Sequence, residues 1–192
     1  MSSTKVNGVR YTTWTGVNSK KGFAVNGTEV IDKDGNLSVT AGSVSSNQLA
    51  ANTIQYAEVS IAAAAIKTLR ATPVQLVAAP GAGKFVEFVS AQLFLDYGGA
   101  GLTESSDNLA VKFDSGSGVA VSETIEATGF IDQVADTITN AIAKKDVIVA
   151  KTAAENKKLV LHNTGSGEFG DAGTSTSVLR VKVAYRIHAT GF

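Results

Sequence analysis

A glycine-rich stretch followed by lysine, APGAGKF at residues 79–85, is the first part of the chain whose residue types could do chemistry. Glycines before a lysine can expose backbone amides to a phosphate group. The match is incomplete, because Ala78 stands where the first glycine is required and Phe85 replaces the Ser or Thr that would hold magnesium. We therefore predict a Pro-Gly turn between two strands.

A second stretch, DKDGN at residues 32–36, has the alternating side-chain oxygens of a calcium-binding loop. That loop also needs a glycine at its sixth position and a bidentate Glu at its twelfth. Leu37 and Ser43 occupy those two positions here. A hairpin turn accounts for these residues better than a calcium site does.

The chain has two histidines, His162 and His188, and no cysteine. Each histidine falls on a predicted strand and lacks a second His or an acid at the spacing of metal ligands. Both are interpreted as ordinary strand or surface histidines. The sequence therefore predicts no metal site and no cofactor.

Three carboxylates, Asp96, Glu104 and Asp107, surround the glycine-rich stretch GGAG at residues 98–101. They could form the carboxylate pair of a glycosidase or a cation site, but a solvated acidic loop is the simpler interpretation. The chain has no nucleophile-elbow and no zinc-protease signature. We therefore predict that the protein is not an enzyme.

Composition limits the possible partners. The chain carries 17 basic and 17 acidic residues, so no overall field draws it to nucleic acid or to anionic lipid. Charged residues make up only 18% of the sequence, and low charge is typical of surfaces that pack on other proteins. The N-terminus lacks the apolar stretch of a signal peptide, and no run is long enough to span a membrane. These features predict a protein that binds neither nucleic acid nor membrane and is used in the cytoplasm or in a particle assembled there.

The elements that would position any site fall into two parts. Residues 1–56 contain few large apolar residues and many turn formers, including Asn26-Gly27 and Asp34-Gly35, which favour two hairpins. Isolated hairpins are marginal in water, so this part is predicted to be an extended arm that pairs with another chain or protein. Three aromatic residues in it, Tyr11, Trp14 and Phe23, are candidate interface anchors, although they could instead fold back on the rest of the chain.

The end of the arm is a low-complexity stretch at residues 41–54, in which Val44, Leu49 and Ile54 recur every fifth residue among small polar ones. This spacing matches neither a helix nor a strand. The stretch is either a linker or a segment in which three copies wind together and bury these three residues.

Residues 57–192 are predicted to form the body, a mainly β antiparallel sandwich of which the jelly roll is one form. The clearest strand lies at residues 179–188, where alternate residues are apolar. Further strand candidates are residues 74–77, 109–113, 146–149 and 158–161. Residues 85–95 are apolar on both faces, which predicts a central strand covered on two sides. The apolar spacing within residues 129–143 predicts one helix.

Two motifs resemble those of tailed-bacteriophage structural proteins. The hairpin GTEVIDKDGN at residues 27–36 is similar to one that opens many phage fibre and head-decoration chains, and residues 42–54 resemble the low-complexity repeats that follow it. The resemblance implies a homotrimer on the capsid exterior of a virion assembled in the host cytoplasm. It implies an arm that grips the major capsid protein and a β-sandwich that faces outward.

Within that class, the short repeat stretch and the absence of a long fibre shaft favour a capsid decoration, or cement, protein that stabilises the head. The alternative is a tail fibre or receptor-binding module that recognises host surface glycan through residues 97–107. A hydrolase acting on that glycan is a more remote third hypothesis.

Overall fold

The computed structural model describes residues 53–105 and 107–191 in full, together with the backbone of four short strands before them. The chain divides into two compact units, Met1–Leu49 and Ala50–Phe192. The first unit contains two antiparallel pairs, β1 (Ser3–Val6) with β2 (Val9–Thr12) and β3 (Phe23–Val25) with β4 (Thr28–Ile31).

The pair β3 and β4 flanks Asn26-Gly27, so the first predicted hairpin is confirmed in the backbone. The predicted hairpin at Asp34-Gly35 and the calcium-like stretch at residues 32–36 lie outside the described residues.

The second unit is mainly β, with two helices of one turn each. Its elements in chain order are β5 (Gln55–Ala62), α1 (Ala63–Ile66), β6 (Val74–Val77), β7 (Lys84–Asp96), β8 (Leu102–Thr103), β9 (Asn108–Phe113), β10 (Ile125–Glu126), β11 (Thr137–Ile142), α2 (Lys151–Ala154), β12 (Leu159–Asn163), β13 (Gly170–Asp171) and β14 (Val178–Ala189). The first strand of this unit, β5, begins at Gln55, two residues before residue 57, the predicted start of the body.

Two four-stranded sheets make up this unit, with strand orders β11-β7-β14-β5 and β10-β9-β12-β6, and every pairing in them is antiparallel. The chain crosses between the sheets after β5, β6, β7, β10, β11 and β12. The predicted antiparallel sandwich is therefore confirmed. Strands β8 and β13 form a separate short pair.

The core lies between the two sheets. On β14 the alternate residues Leu179, Val181 and Val183 are buried, as predicted, while Arg180 and Lys182 are exposed. Strands β9 and β12 of the other sheet contribute buried residues to the same apolar cluster. Burial of this cluster is the main stabilisation of the fold, because it removes apolar surface from water.

The predicted two-sided cover of β7 is wrong. The pairing of β14 with β7 shifts register between Ala184 and Tyr185, which marks a β-bulge. Val86 and Phe88 are buried before it, and Leu93 and Leu95 after it, so the buried face changes from even to odd positions. An extra residue in one strand of a pair reverses which alternate side chains face the core. Residues 85–95 therefore read as continuously apolar in the sequence, although each half of the strand buries only one face.

The helix predicted within residues 129–143 is also wrong. Residues 137–142 form β11, in which Ile138 pairs with Phe94 of β7. A helix would have placed Ile131, Ile138 and Ile142 on one buried face, but only Ile131 is buried. Pairing with a long neighbouring strand decides the structure here, because short apolar spacings are ambiguous between helix and strand.

Of the other strand candidates, residues 74–77, 109–113 and 158–161 correspond to β6, β9 and β12. Residues 146–149 do not form a strand, although they contain three consecutive β-branched residues, Val147, Ile148 and Val149.

We expect Leu93→Ala to lower the free energy of unfolding by about 3 kcal/mol, because Leu93 is fully buried between the sheets and its truncation leaves a cavity. Urea unfolding followed by circular dichroism measures the change. The control is Ile148→Ala, whose side chain is 95% exposed and whose loss should cost less than about 1 kcal/mol. Equal losses for the two variants would contradict the assignment of core and surface.

A candidate assembly surface

The outward side of the sheet β11-β7-β14-β5 is a continuous surface that no other described element of the second unit covers. Strand register arranges its side chains in three rows across the four strands. The rows are Ile138-Phe94-Arg180-Ser60, Asn140-Gln92-Lys182-Glu58 and Ile142-Ser90-Ala184-Tyr56. We call these twelve side chains the neutral sheet face.

Large apolar side chains lie at both edges of the neutral sheet face. On β11, Ile138 is 60% and Ile142 is 62% exposed, and on β5 Tyr56 is 64% exposed. Single exposed apolar residues are common, but here they recur on one surface and border small residues such as Ser90 and Ala184. This distribution is typical of a surface that is buried in an assembly.

The charges on and beside this face are paired with one another. Lys182 lies 2.7 Å from Glu58, and Arg180 lies 2.6 Å from Asp96. The hydrogen bond and attraction between Lys182 and Glu58 lower the pKa of Glu58 and raise that of Lys182. Exposed pairs of this kind add little stability, but Glu58 on the face and Asp96 beside it balance the charges of Lys182 and Arg180.

A shallow depression crosses the third row of the face. It has a volume of about 370 Å³ and lies between Ile142 on β11 and Tyr56 on β5. The small side chains of Ser90 and Ala184 form part of its lining, and the ammonium of Lys182 lies 5.6 Å from the centre of the Tyr56 ring. The depression could accept an apolar side chain from a neighbouring molecule.

The three carboxylates singled out in the sequence have structural contacts. Asp96 pairs with Arg180. The Glu104 side chain accepts hydrogen bonds from the amide of Asp107 at 3.1 Å and from the hydroxyl of Thr128 at 2.8 Å. Asp107 is fully buried rather than in a solvated loop, and its Oδ1 accepts the amide of Gly167 at 3.3 Å. These carboxylates thus hold loops in place.

The phosphate-loop-like stretch is a turn between β6 and β7, as predicted. Gly81 and Gly83 have positive φ angles, which only glycine adopts without strain. Their amides are already engaged, since Gly81 donates to Asn156 Oδ1 at 3.0 Å and Gly83 donates to Glu155 Oε1 at 2.8 Å. The amides of Gly81 and Gly83, which a phosphate would need, therefore bind the two residues that follow α2.

His188 lies on β14, where its Nε2 is 2.7 Å from Glu87 Oε2 of β7 and its ring stacks on Phe85 with centroids 5.2 Å apart. Sequence spacing did not show this acid, because Glu87 and His188 are far apart in the chain and meet only through strand pairing. Arg186 contacts the same carboxylate at 3.4 Å, so the cluster is a surface ion-pair network.

His162 lies on β12 and is buried, and its Nδ1 has no hydrogen-bond partner among the described residues. It lines an open groove with Arg70, Ser115 and Glu168. Burial lowers the pKa of His162, and the positive charge of Lys112 lowers it further. Glu168 in this groove is engaged by the amides of Arg70 and Ala71, at 2.9 Å and 2.7 Å.

The arm residues predicted to make contacts are less fully described. Tyr11 and Phe23 lie in β2 and β3, whereas Trp14, Val44 and Leu49 lie outside the described residues. Ile54 is described and is 39% exposed, two residues before Tyr56.

Within the described residues, no group of three or more His, Cys, Asp or Glu side chains is arranged to hold a metal ion. The same residues contain no helix of the length and apolar character needed to cross a membrane.

Sequence reasoning missed the neutral sheet face. Its signal was present in β11, where Ile138, Asn140 and Ile142 alternate with Thr137, Thr139 and Ala141. The same residues also fit the spacing of a helix. The helix predicted from that spacing places Ile138 and Ile142 on a buried face, whereas both are exposed.

We expect acid to destabilise the protein partly through His162. Above its unfolded pKa of about 6.5 the histidine is neutral in both states, and below it only the unfolded state readily takes up a proton. The free energy of unfolding should therefore fall as the pH drops from about 7.5 to about 5, and His162→Gln should reduce this fall. Urea unfolding of both proteins at each pH measures it. An equal fall in the variant would contradict the assignment.

Comparisons with known proteins find similarity in structure rather than in sequence. No protein-family model matches the chain, and no curated protein matches it significantly. Among solved structures, a chain described as "Capsid of Ralstonia phage GP4" is similar to this one with a TM-score of 0.35 and 14% sequence identity, over 71% of this chain and 86% of that chain. Similarity at this level does not by itself assign a fold or a function to the chain.

Proposed function

We propose that this chain is a non-enzymatic structural protein of a tailed-phage head, a homotrimer that decorates the capsid exterior and stabilises the lattice of the major capsid protein. The observation that carries the proposal is the neutral sheet face, with exposed isoleucines at one edge and Tyr56 at the other. The motifs at residues 27–36 and 42–54 resemble those of phage structural proteins, and they support a phage head as the particle in which the chain assembles.

The neutral sheet face has the chemistry of a surface that packs on protein. Interface centres are poor in unpaired charge and rich in aromatic and apolar groups. Here the charged side chains Lys182 and Arg180 are neutralised by neighbouring carboxylates, and the remaining positions are apolar, small or amide side chains. Burial of this face would release ordered water without leaving an unpaired charge.

The arrangement of the apolar side chains favours a ring of copies. Ile138 and Ile142 lie on the edge strand β11, whereas Tyr56 lies on the opposite edge strand β5. Two different surfaces on one molecule make a head-to-tail contact, which closes into a ring when the rotation between copies is suitable. In a trimer, the β11 edge of one copy would pack on the β5 edge of the next.

The arm would supply the grip on the capsid. Tyr11, Trp14 and Phe23 are the candidate anchors, and Val44, Leu49 and Ile54 are the candidate residues of a trimeric winding. Three linked arms gain affinity by multivalency, because after one arm binds, the others bind at a high effective concentration. A trimer that bridges capsid subunits in this way would resist expansion of the head without catalysing a reaction.

The loop at residues 97–107 is less suited to the alternative function of glycan recognition. Three side chains that could bind sugar hydroxyls, Asp96, Glu104 and Asp107, are engaged by Arg180, Thr128 and backbone amides. The number of copies per virion separates the two functions, because a decoration protein covers the lattice and a fibre does not.

We expect the purified chain to be a trimer with three times the chain mass of 19.7 kDa in light scattering. Ile142→Glu should shift the protein toward monomer, because it places a charge at the apolar edge of the neutral sheet face. The matched control is Ile148→Glu, which changes another exposed isoleucine away from this face and should leave the trimer intact. A monomeric wild-type protein would refute the proposed trimer.

Deletion of residues 1–23 should leave the body folded but weaken its binding to undecorated capsids. Among the described residues, the apolar core and the side chains packed against it run from Ala57 to Ile187, whereas the deletion removes Tyr11, Trp14 and Phe23. Loss of such anchors costs about 2 kcal/mol or more each when they are hot spots. Circular dichroism tests folding, and co-sedimentation with particles tests binding. Unchanged binding would move the capsid contact to the β-body.

A further inference from the structure

A cavity of about 470 Å³ opens at the end of the sandwich where β7 begins and β14 ends. Part of its lining belongs to the core, since Val86 and Phe88 of β7 and Phe113 of β9 are each at most 4% exposed. Because β7 and β9 belong to different sheets, the cavity reaches between the sheets instead of lying on an outer face. Protein interiors are close-packed and leave few voids larger than a water molecule. A space of this size beside the core is therefore a candidate binding site.

The segment between β11 and α2 lines the cavity from the other side. Val147 and Val149 are half-buried and belong to its lining, whereas Ile148 between them is 95% exposed and does not. Of the thirteen lining side chains, all but four are apolar, and the four are Glu87, Lys144, Lys151 and Thr190. The cavity thus combines an apolar interior with a few polar groups.

The carboxylate in the lining is already neutralised. Glu87 Oε2 lies 2.7 Å from His188 Nε2 and 3.4 Å from a guanidinium nitrogen of Arg186. A positively charged ligand would therefore have to compete with two side chains of β14 for this carboxylate.

The ammonium of Lys144 is the charge in the lining that lacks a partner. Lys151 lies 3.6 Å from Glu155, and the hydroxyl of Thr190 donates to the same residue at 3.5 Å. Lys144 is exposed and forms no ion pair or side-chain hydrogen bond with any described residue, whereas its neighbour Lys145 lies 4.0 Å from Asp146. An anionic group at the cavity would gain a partner in Lys144.

The volume of the cavity suits one small amphiphile. A dry apolar cavity of about 150 Å³ holds benzene, which has six carbon atoms. By that ratio, about 470 Å³ holds roughly 15 to 20 non-hydrogen atoms, which is enough for an alkyl chain and its head group. A polypeptide segment fits less well between the sheets, because phenylalanine and valine side chains offer no hydrogen bonds to its amides and carbonyls.

We propose that this cavity binds a single-chain amphiphile with an anionic head group, of the fatty-acid class. The alkyl chain lies between the sheets against Phe88 and Phe113, and the carboxylate meets the ammonium of Lys144. The cavity shares no residue with the neutral sheet face, so this proposal and the proposed trimer can fail independently. A bound chain would complete the packing at this end of the core and stabilise the folded protein.

The test uses the full chain and two probes, decanoate and decyltrimethylammonium, which have similar alkyl chains and opposite charges. Isothermal titration calorimetry should show at least about threefold tighter binding of decanoate, because an exposed ion pair contributes a factor of this order. Decanoate should also shift the ring resonances of Phe88 and Phe113 in NMR spectra, and it should raise the melting temperature as its concentration increases.

Two pairs of variants locate the site. Val149→Phe places a ring in the cavity and should abolish decanoate binding, whereas Ile148→Phe adds the same ring at the exposed neighbouring residue and should leave binding unchanged. Lys144→Gln should remove the preference for decanoate, and Lys145→Gln, outside the lining, should retain it. The two lysine variants change only exposed side chains, so they keep the test decisive if circular dichroism shows that Val149→Phe does not fold.

Three results would overturn the proposal. Equal binding of the two probes to the unmodified chain would show that Lys144 does not select the head group. Unchanged decanoate binding by folded Val149→Phe would place the alkyl chain elsewhere. Co-sedimentation with phosphatidylglycerol vesicles, without binding of free decanoate, would assign the site to a membrane lipid instead of a free amphiphile.

Discussion

The antiparallel pairing of β7 with β14 is the interaction on which the rest of the structure depends. These are the two longest strands, with 13 and 12 residues, and they join the middle of the chain to its end, with Val178 opposite Asp96 and Ala189 opposite Lys84. Because side chains alternate between the two faces of a sheet, this register fixes which residues enter the core and which form the outer surface. The edge strands β11 and β5 take their register from the same pair.

The bulge in this pairing gives the outer surface its character. Before the bulge, the even-numbered residues Val86 and Phe88 of β7 face the core. After it, the odd-numbered residues Leu93 and Leu95 do so, and the extra residue of the bulge makes this change possible. The residues left outside include Ser90 and Gln92, which are small or neutral. A local irregularity in the pairing thus changes both which residues pack in the core and which remain on the outer surface.

Carboxylates in this fold are used mainly to hold loops. Glu155 and Glu168 each accept backbone amides from another part of the chain, and buried Asp107 accepts the amide of Gly167. Glu104 accepts the amide of Asp107 within its own loop and the hydroxyl of Thr128. Gly165 lies so close to Asp107 that a side chain at that position would collide with the carboxylate. Short sheets joined by long loops need such contacts, because loop backbone groups have no ladder partners.

The sequence alone determined the fold class, the inward face of β14 and the turn before β7, because each depends on local alternation or on the glycine and proline content of a few residues. It could not place Ile138 and Ile142, whose spacing fits a helix until pairing with β7 makes it a strand. Nor could it show that Asp107 is buried, that Glu87 meets His188, or that residues 147–149 pair with none of the described strands. Each of these depends on contacts between residues far apart in the chain, and only the tertiary structure decides such contacts.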